Sequence, residues 1–375
     1  GARPVGPALD SSAVAAIAKQ LTSANRPILL AGGGGWTDRD RAALHEFSTQ
    51  TGVPVMSTFR NHDLFDNTHP NFVGEAGVGM APGVKETLAT ADCIVAVNAR
   101  FGEMTTGTYT LFQADRADQW IAHIHKSADE FGKVVQADLT CVAEPQSVLT
   151  PLADMVAPAS ARSDWTHQAR RRFEDSQSVG PQPGTVDMGQ VTGHIAQMLH
   201  DDAIITHGAG NFAIWPNKFL QYGPNMRLIA PQSGAMGYGV PAAVAAKIEC
   251  PERQVICFAG DGDFQMTCPE LGTALQAGVG PVILVVNNGT YGTIRMHQER
   301  AYPGRVSGTD LVNPDFAGLA RAYGFLGETV TKTADFQAAF ARALAAPQGA
   351  VLDLHVSKNA ITPRLTLQQL QALGG

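Results

Sequence analysis

The sequence predicts an α/β protein of two doubly wound parallel-sheet domains. Three observations carry this: strand-length apolar runs alternate with helical stretches, glycine turns close most of the runs, and a polar break rich in Pro and Gly lies near the middle. A chain of 375 residues, 44% of them hydrophobic, is long enough to fill two cores.

The opening stretch "GARPVGPALD" reads as a Pro/Gly linker entering a domain already under way, so the chain is expected to be a piece of something longer. From Arg26, "RPILLAGGGG" followed by "DRDRAALHEFSTQTG" gives an apolar strand, a glycine turn and an amphipathic helix ending at Gly52. "VPVMST" and "ADCIVAVNA" repeat the strand signal, and "TLATA" supplies helix between them. Gly32 to Gly35 lack the spacing G-x-G-x-x-G that sets a helix against a pyrophosphate, and read as a tight turn. The first domain therefore spans 10–160. Residues 161–185, a charged helical segment and then a Pro/Gly loop, form the expected linker. The second domain covers 186–375, with strands "DAIITH", "MRLIA", "RQVICFA", "GPVILVVN" and "GAVLDLHV" and helices between or after them. One of those helices, "MTCPELGTALQAG", begins with a T-x-x-E capping box, Thr267 with Glu270, and is expected to run to Gly278.

Bulk properties exclude several classes. The net charge of -7 is dispersed and no basic stripe is present, which argues against nucleic acid. Apolar runs such as "PVILVV" are too short to span a bilayer, and no secretion signal is visible. The five cysteines are odd in number and lack a CxxC spacing, so neither a disulfide framework nor a zinc site is supported and a reducing cytoplasm is expected.

Chemistry concentrates at four strand ends: "HGAGNF" (207–212), "QSGAMGYG" (232–239), "GDGDF" (260–264) and "NNGTYG" (287–292). Singly, each reads as a turn, Asp261 as a turn former and the Asn pair as a loop closure. Together they line one sheet edge with bare amides, which suit an anion, and with oxygens from Asp261 and the Asn287/Asn288 pair, which suit Mg2+. A strand–loop–helix–strand path brings Asp261 and Asn288 to adjacent strand ends. Ligands of open parallel sheets sit there.

"GDG", then residues 263–286, then "NN" resembles the thiamine-diphosphate motif of the decarboxylase and acetolactate synthase superfamily. The resemblance covers nearly the whole chain: residues 10–160 are similar to the superfamily's central Rossmann-like domain and 186–375 to its pyrophosphate-binding domain. It implies thiamine diphosphate, and Mg2+ held by the Asp261 carboxylate, the Asn288 side chain and the Thr290 carbonyl, with Gly260 and Gly262 clearing space. By the same resemblance Gly208, Asn211, Asp263, Phe264 and the amides of Tyr291, Gly292 and Thr293 surround the diphosphate. "SGAMGYG" is similar to the loop under the thiazolium ring, where the carbonyl of Gly234 accepts from the cofactor's amino group and Met236 bends the cofactor.

In that superfamily a glutamate from a separate pyrimidine-binding domain of a neighbouring subunit activates the cofactor toward a 2-oxo acid. No such domain is read in this chain, so an N-terminal region of a partner subunit and a homodimer or homotetramer are implied. Domain order and "NARFGEMTTG" resemble acetolactate synthase, but Met104 stands where that family has an arginine near its flavin, which counts against FAD. The tryptophan that family carries shortly after the Asn pair is absent from "TIRMHQERAYPGR". "NNGTYG" also resembles benzoylformate decarboxylase, which gives an alternative of aromatic 2-oxo acid decarboxylation with Ile294 and Met296 facing substrate. A non-catalytic cofactor-binding remnant is the third reading.

Overall fold

The structure is a computed structural model that describes residues 11–112, 119–157 and 162–373. The opening linker stretch, residues 1–10, and the 160/161 domain boundary lie outside the described residues. The chain divides into two compact units, one of the residues up to Ser178 with Tyr222–Pro224, the other of Val179–Gln221 and the residues from Asn225 on.

The first unit holds six parallel strands: β1 (Pro27–Ala31), β2 (Val55–Thr58), β3 (Phe72–Ala76), β4 (Cys93–Val97), β5 (Trp120–His125) and β6 (Leu139–Val142). Their order is β3-β2-β1-β4-β5-β6. All five residues of β1 and of β4 are buried, as expected of parallel strands covered on both faces by helices. The helix Asp38–Thr51 starts on a capping box between Thr37 and Asp40 and stops at Gly52 in the left-handed conformation.

The GGGG turn is closed by side chains. Asn98, at the end of β4, donates from Nδ2 to the carbonyls of Gly32 (3.2 Å) and Gly34 (3.0 Å), and Lys126 donates to that of Gly35 (2.8 Å). Side chains thus take up the carbonyls of a turn whose glycines Gly33 and Gly35 have positive φ.

The helix Ser163–Asp175, read as part of the linker, belongs to the first unit's core. Trp165, Ala169 and Phe173, four residues apart, form one apolar stripe. Phe173 meets the Phe72 ring edge-on at 5.1 Å, and the Trp165 indole donates to the carbonyl of Pro27 at 2.9 Å. Charge on the opposite face masked the stripe in the sequence.

His123 on β5 is buried between Phe101 and Phe131, and its Nε2–H donates to the carbonyl of Ala99 at 2.9 Å. Burial lowers its pKa from the ordinary imidazole value, and the Ala99 hydrogen bond only partly opposes this. An imidazole kept neutral by folding stabilises above the unfolded-state pKa, and that stability is lost as pH falls below it. Urea unfolding of the first unit should weaken by up to about 1.4 kcal/mol per pH unit below roughly pH 6.5 on this account. His123→Gln should flatten the slope; an unchanged slope would remove His123 as its source.

The second unit holds β7 (Ile204–His207), β8 (Arg227–Ile229), β9 (Val255–Gly260), β10 (Val282–Asn287), β11 (Leu326–Val330) and β12 (Ala350–His355). Their order is β11-β12-β10-β9-β7-β8, all parallel. The chain runs from β7 outward to β8, then crosses back to β9 on the other side of β7. The strand order therefore reverses between β7 and β9, where such sheets open a crevice. All four glycine-rich loops leave from the neighbouring strands β10, β9, β7 and β8.

The expected capping box is absent. Thr267 ends one short helix, Asp261–Thr267, and its hydroxyl donates to the carbonyl of Gly237 at 2.9 Å. Glu270 opens the next, Glu270–Ala277, and accepts from the Thr273 hydroxyl at 2.6 Å. Pro269 caps the second helix through its backbone alone, since proline favours the start of a helix. The stop at Gly278, in the left-handed conformation, is as expected.

Candidate functional site

A cavity of about 240 Å³ opens at the carboxyl ends of β7, β9 and β10, wholly within the second unit. Of the residues singled out in the sequence, Asn211, Gly234, Met236, Gly260, Asp261, Gly262, Asp263, Asn288, Thr290, Tyr291, Gly292, Thr293 and Ile294 line it. Gly208, Phe264 and Met296 do not line it.

Asp261 is the first residue of its helix and only 3% exposed. Its Oδ1 accepts from the Gly262 amide (2.9 Å), and its Oδ2 from the Gly289 amide (2.7 Å) and Asn313 Nδ2 (2.8 Å). Burial raises the carboxyl's pKa above the usual range, and these three donors pull it back. Because β9 and β10 pair in parallel, Asp261 and Asn288 follow neighbouring strand ends. Asn288 Oδ1 accepts from the Thr290 amide at 3.1 Å, a tight Asx-type turn. An antiparallel bridge from Thr290 to Asp310, with the Thr290 hydroxyl donating to the carbonyl of Thr309 at 2.8 Å, holds that loop in place.

One carboxylate, one amide oxygen and a backbone carbonyl form a set of hard oxygens, which fits Mg2+ sharing its shell with phosphate and water. Among the described residues no three His, Cys, Asp or Glu gather as a metal cluster, so a softer metal finds no equivalent cage. Asn287 does not join the set: its Nδ2 donates to Asp353 Oδ1 at 2.9 Å and its Oδ1 accepts from Asn313 at 2.8 Å.

The glycines around Asp261 make room for protein side chains. A Cβ on Gly260 would lie 2.8 Å from the Phe212 ring, and one on Gly262 would collide with the Tyr291 ring. Gly234 differs: its φ is +73° and a Cβ there would meet nothing within 4 Å, so it faces open space.

Asp263 braces the site. Only 2% exposed, it accepts at Oδ1 from the amides of Gly237 (2.7 Å) and Ala209 (3.3 Å), tying the loops after β8 and β7 to the helix after β9. Gly208 packs against that carboxylate. Phe264 is fully buried, edge-on to Phe316 at 5.4 Å, so its ring is core and only its backbone can reach the site. Asn211 Oδ1 accepts from Thr293 (2.9 Å), and its Nδ2 donates to the carbonyl of Ile361 (2.7 Å) with Met296 Sδ at 3.6 Å. Met296 thus lies behind Asn211, whereas Ile294, 49% exposed, lies on the cavity wall.

Sequence reasoning missed Phe212, Trp215, Met188 and the segment Ile361–Thr362, all on the cavity wall. Phe212 ends the glycine loop after β7 and was within reach of the motif. The others carry no local signal.

A buried acid, an asparagine and glycine-rich loops gathered on one cavity at the switch point of a parallel sheet define a ligand-binding α/β protein. Residues 208–354 match the family described as "Thiamine pyrophosphate enzyme, C-terminal TPP binding domain", and residues 14–152 match "Thiamine pyrophosphate enzyme, central domain". The chain belongs to the thiamine pyrophosphate enzymes. It is similar to the acetolactate synthase large subunit of Parasynechococcus marenigrum (strain WH8102), 30% identical over 359 residues, which are 94% of this chain and 57% of that protein. It is also similar to the acetolactate synthases of Arthrospira platensis (31% over 352 residues; 90% and 60%) and Mycobacterium bovis (30% over 325 residues; 83% and 52%). The chain spans little more than half the length of these relatives.

Proposed function

We propose that this chain supplies the metal and diphosphate half of an acetolactate-synthase-like enzyme that acts on a small 2-oxo acid. The buried Asp261, which lines the cavity beyond β9 and β10 together with Asn288 and Thr290, carries the reading. When bound, thiamine diphosphate supplies a carbanion sink for decarboxylation or carboligation.

Asp261, Asn288 and the Thr290 carbonyl would hold Mg2+, which would supply positive charge beside the diphosphate. Asn211, oriented by Thr293 and Ile361, and the amides from Tyr291 to Thr293 would bind the diphosphate oxygens. Met236, half-buried on the cavity wall, would hold the cofactor bent, and the Gly234 carbonyl would accept a hydrogen bond from its amino group. Ile294 borders the substrate's side chain.

Asp261 and Asp263 are the only carboxylates among the described lining residues, and no glutamate lines the cavity. The acid that activates the cofactor therefore comes from outside this lining, and we assign it to a pyrimidine-binding domain of a neighbouring subunit in a homodimer or homotetramer. Among the described residues no helix is long and apolar enough to cross a membrane. Action in the cytoplasm is part of the proposal.

We assign no flavin, because Met104 replaces the arginine expected near one. The test supplies the complete protein with Mg2+, thiamine diphosphate and pyruvate, phenylpyruvate or benzoylformate in turn, measuring CO2, acetolactate and flavin absorbance. Flavin-free turnover of a 2-oxo acid, with decarboxylation at least comparable to ligation, is expected. Stoichiometric flavin with acetolactate dominant would restore a plain synthase, and preference for the aromatic acids would select the decarboxylase reading.

A further inference from the structure

We propose that Asn313 is a positioning residue for the metal, its amide held in one orientation from the far side by the buried charge of Asp353. The proposal rests on the metal assignment above and extends it to residues that never touch the cation.

Six side chains share one network of donors and acceptors. Asp353, on β12 and 2% exposed, is an acceptor when ionised. It takes Asn287 Nδ2 on Oδ1 at 2.9 Å, while its Oδ2 lies 3.0 Å from Nε2 of His355, a side chain 49% exposed. Asn287 must therefore turn its Oδ1 the other way, and there it accepts from Asn313 Nδ2 at 2.8 Å. The same Nδ2 donates to Asp261 Oδ2 at 2.8 Å, and Asn313 Oδ1 accepts from Gln265 Nε2 at 2.9 Å. An amide flip at Asn313 would set an oxygen against two acceptors and a nitrogen against a donor. The orientation is thus determined by partners, not by a choice between equivalent amide atoms.

The consequence falls on Asp261. Oδ2 is occupied by Asn313 and the Gly289 amide, while Oδ1 accepts from the Gly262 amide and is the oxygen with spare acceptor capacity for a cation. Outer partners of metal ligands act in this way and their loss typically weakens metal binding about 10–100-fold. A separate cleft lined by Asn287, Asn313, Asp353 and His355 gives this network its own access to solvent.

The experiment titrates Mn2+ in place of Mg2+ into the protein with saturating thiamine diphosphate, following the sharp EPR signal of free Mn2+. Asn313→Ala should raise the half-saturating Mn2+ concentration roughly 10-fold or more. Asn313→Asp, equal in size but presenting an acceptor to Asp261, should raise it further still, the reverse of what space filling predicts. Asp353→Asn, remote from the metal, should raise it several-fold. Circular dichroism selects folded variants, and if Asn313→Ala fails to fold, the Asp353→Asn and Asn313→Asp titrations decide. Values within twofold of the parent in the folded variants, or Asn313→Asp no weaker than Asn313→Ala, would overturn the proposal. Failure of the parent itself to bind Mn2+ would instead remove the metal assignment beneath it.

Discussion

Asp261→Ala is expected to abolish the divalent-cation-dependent binding of thiamine diphosphate, lowering metal affinity beyond the roughly 100-fold upper range of outer-partner changes. Asp261 is the sole carboxylate in the proposed ligand set, so its loss removes the charge that draws the cation as well as one coordination bond. The variant should nevertheless fold, because of the three groups that donate to Asp261, Gly262 lines the cavity and Gly289 and Asn313 line the neighbouring cleft, where water can take the place of the lost oxygens. Calorimetry of the complete protein, with and without Mg2+, checks this. Undiminished binding by the folded variant would remove Asp261 from the metal.

Gly208→Ala carries the second large effect, although Gly208 does not line the cavity. An added Cβ would fall inside the contact distance of the Asp263 carboxylate, which is buried and tied to the Gly237 and Ala209 amides. Pushing that carboxylate aside disturbs two loops of the site and the helix after β9 at once. A loss of about 1–3 kcal/mol in urea unfolding is expected, as for other overpacked cores, together with weaker cofactor binding. Gly193→Ala is the contrast: its Cβ meets nothing within 4 Å, on the helix Met188–Met198, so stability should be unchanged or rise by about 0.5–1 kcal/mol. Equal stability of the two variants would refute the packing argument.

The α/β class and both parallel sheets were legible because β1, β4, β9 and β10 are continuous apolar runs, the signature of strands covered on both faces. Strands β3, β5, β6 and β11 escaped notice. Their polar residues, such as Glu75, His123, Thr140 and Glu328, interrupt the apolar pattern and find partners only through the fold or in solvent. The Thr267–Glu270 box failed because Thr267 is the last residue of one helix and Pro269, not Thr267, stands at the N-cap of the next, while the Thr267 hydroxyl donates to a carbonyl thirty residues earlier in the chain.

By itself the sequence determined the family and the placing of Asp261, Asn288 and the glycine loops at strand ends. Those are local signals, because apolar runs, glycines and one acid occur at fixed spacing along the chain. Tertiary structure alone decided what the glycines beside Asp261 accommodate and which partners take the Asn287 side chain. It also set Asn313, which no motif marks, against the Asp261 carboxylate. These depend on which side chains arrive from distant strands: Phe212 from the end of β7, Tyr291 from beyond β10 and Asp353 from β12. Hydrogen-bond direction and steric exclusion operate between neighbours in space, and the order of residues along the chain does not encode those neighbours locally.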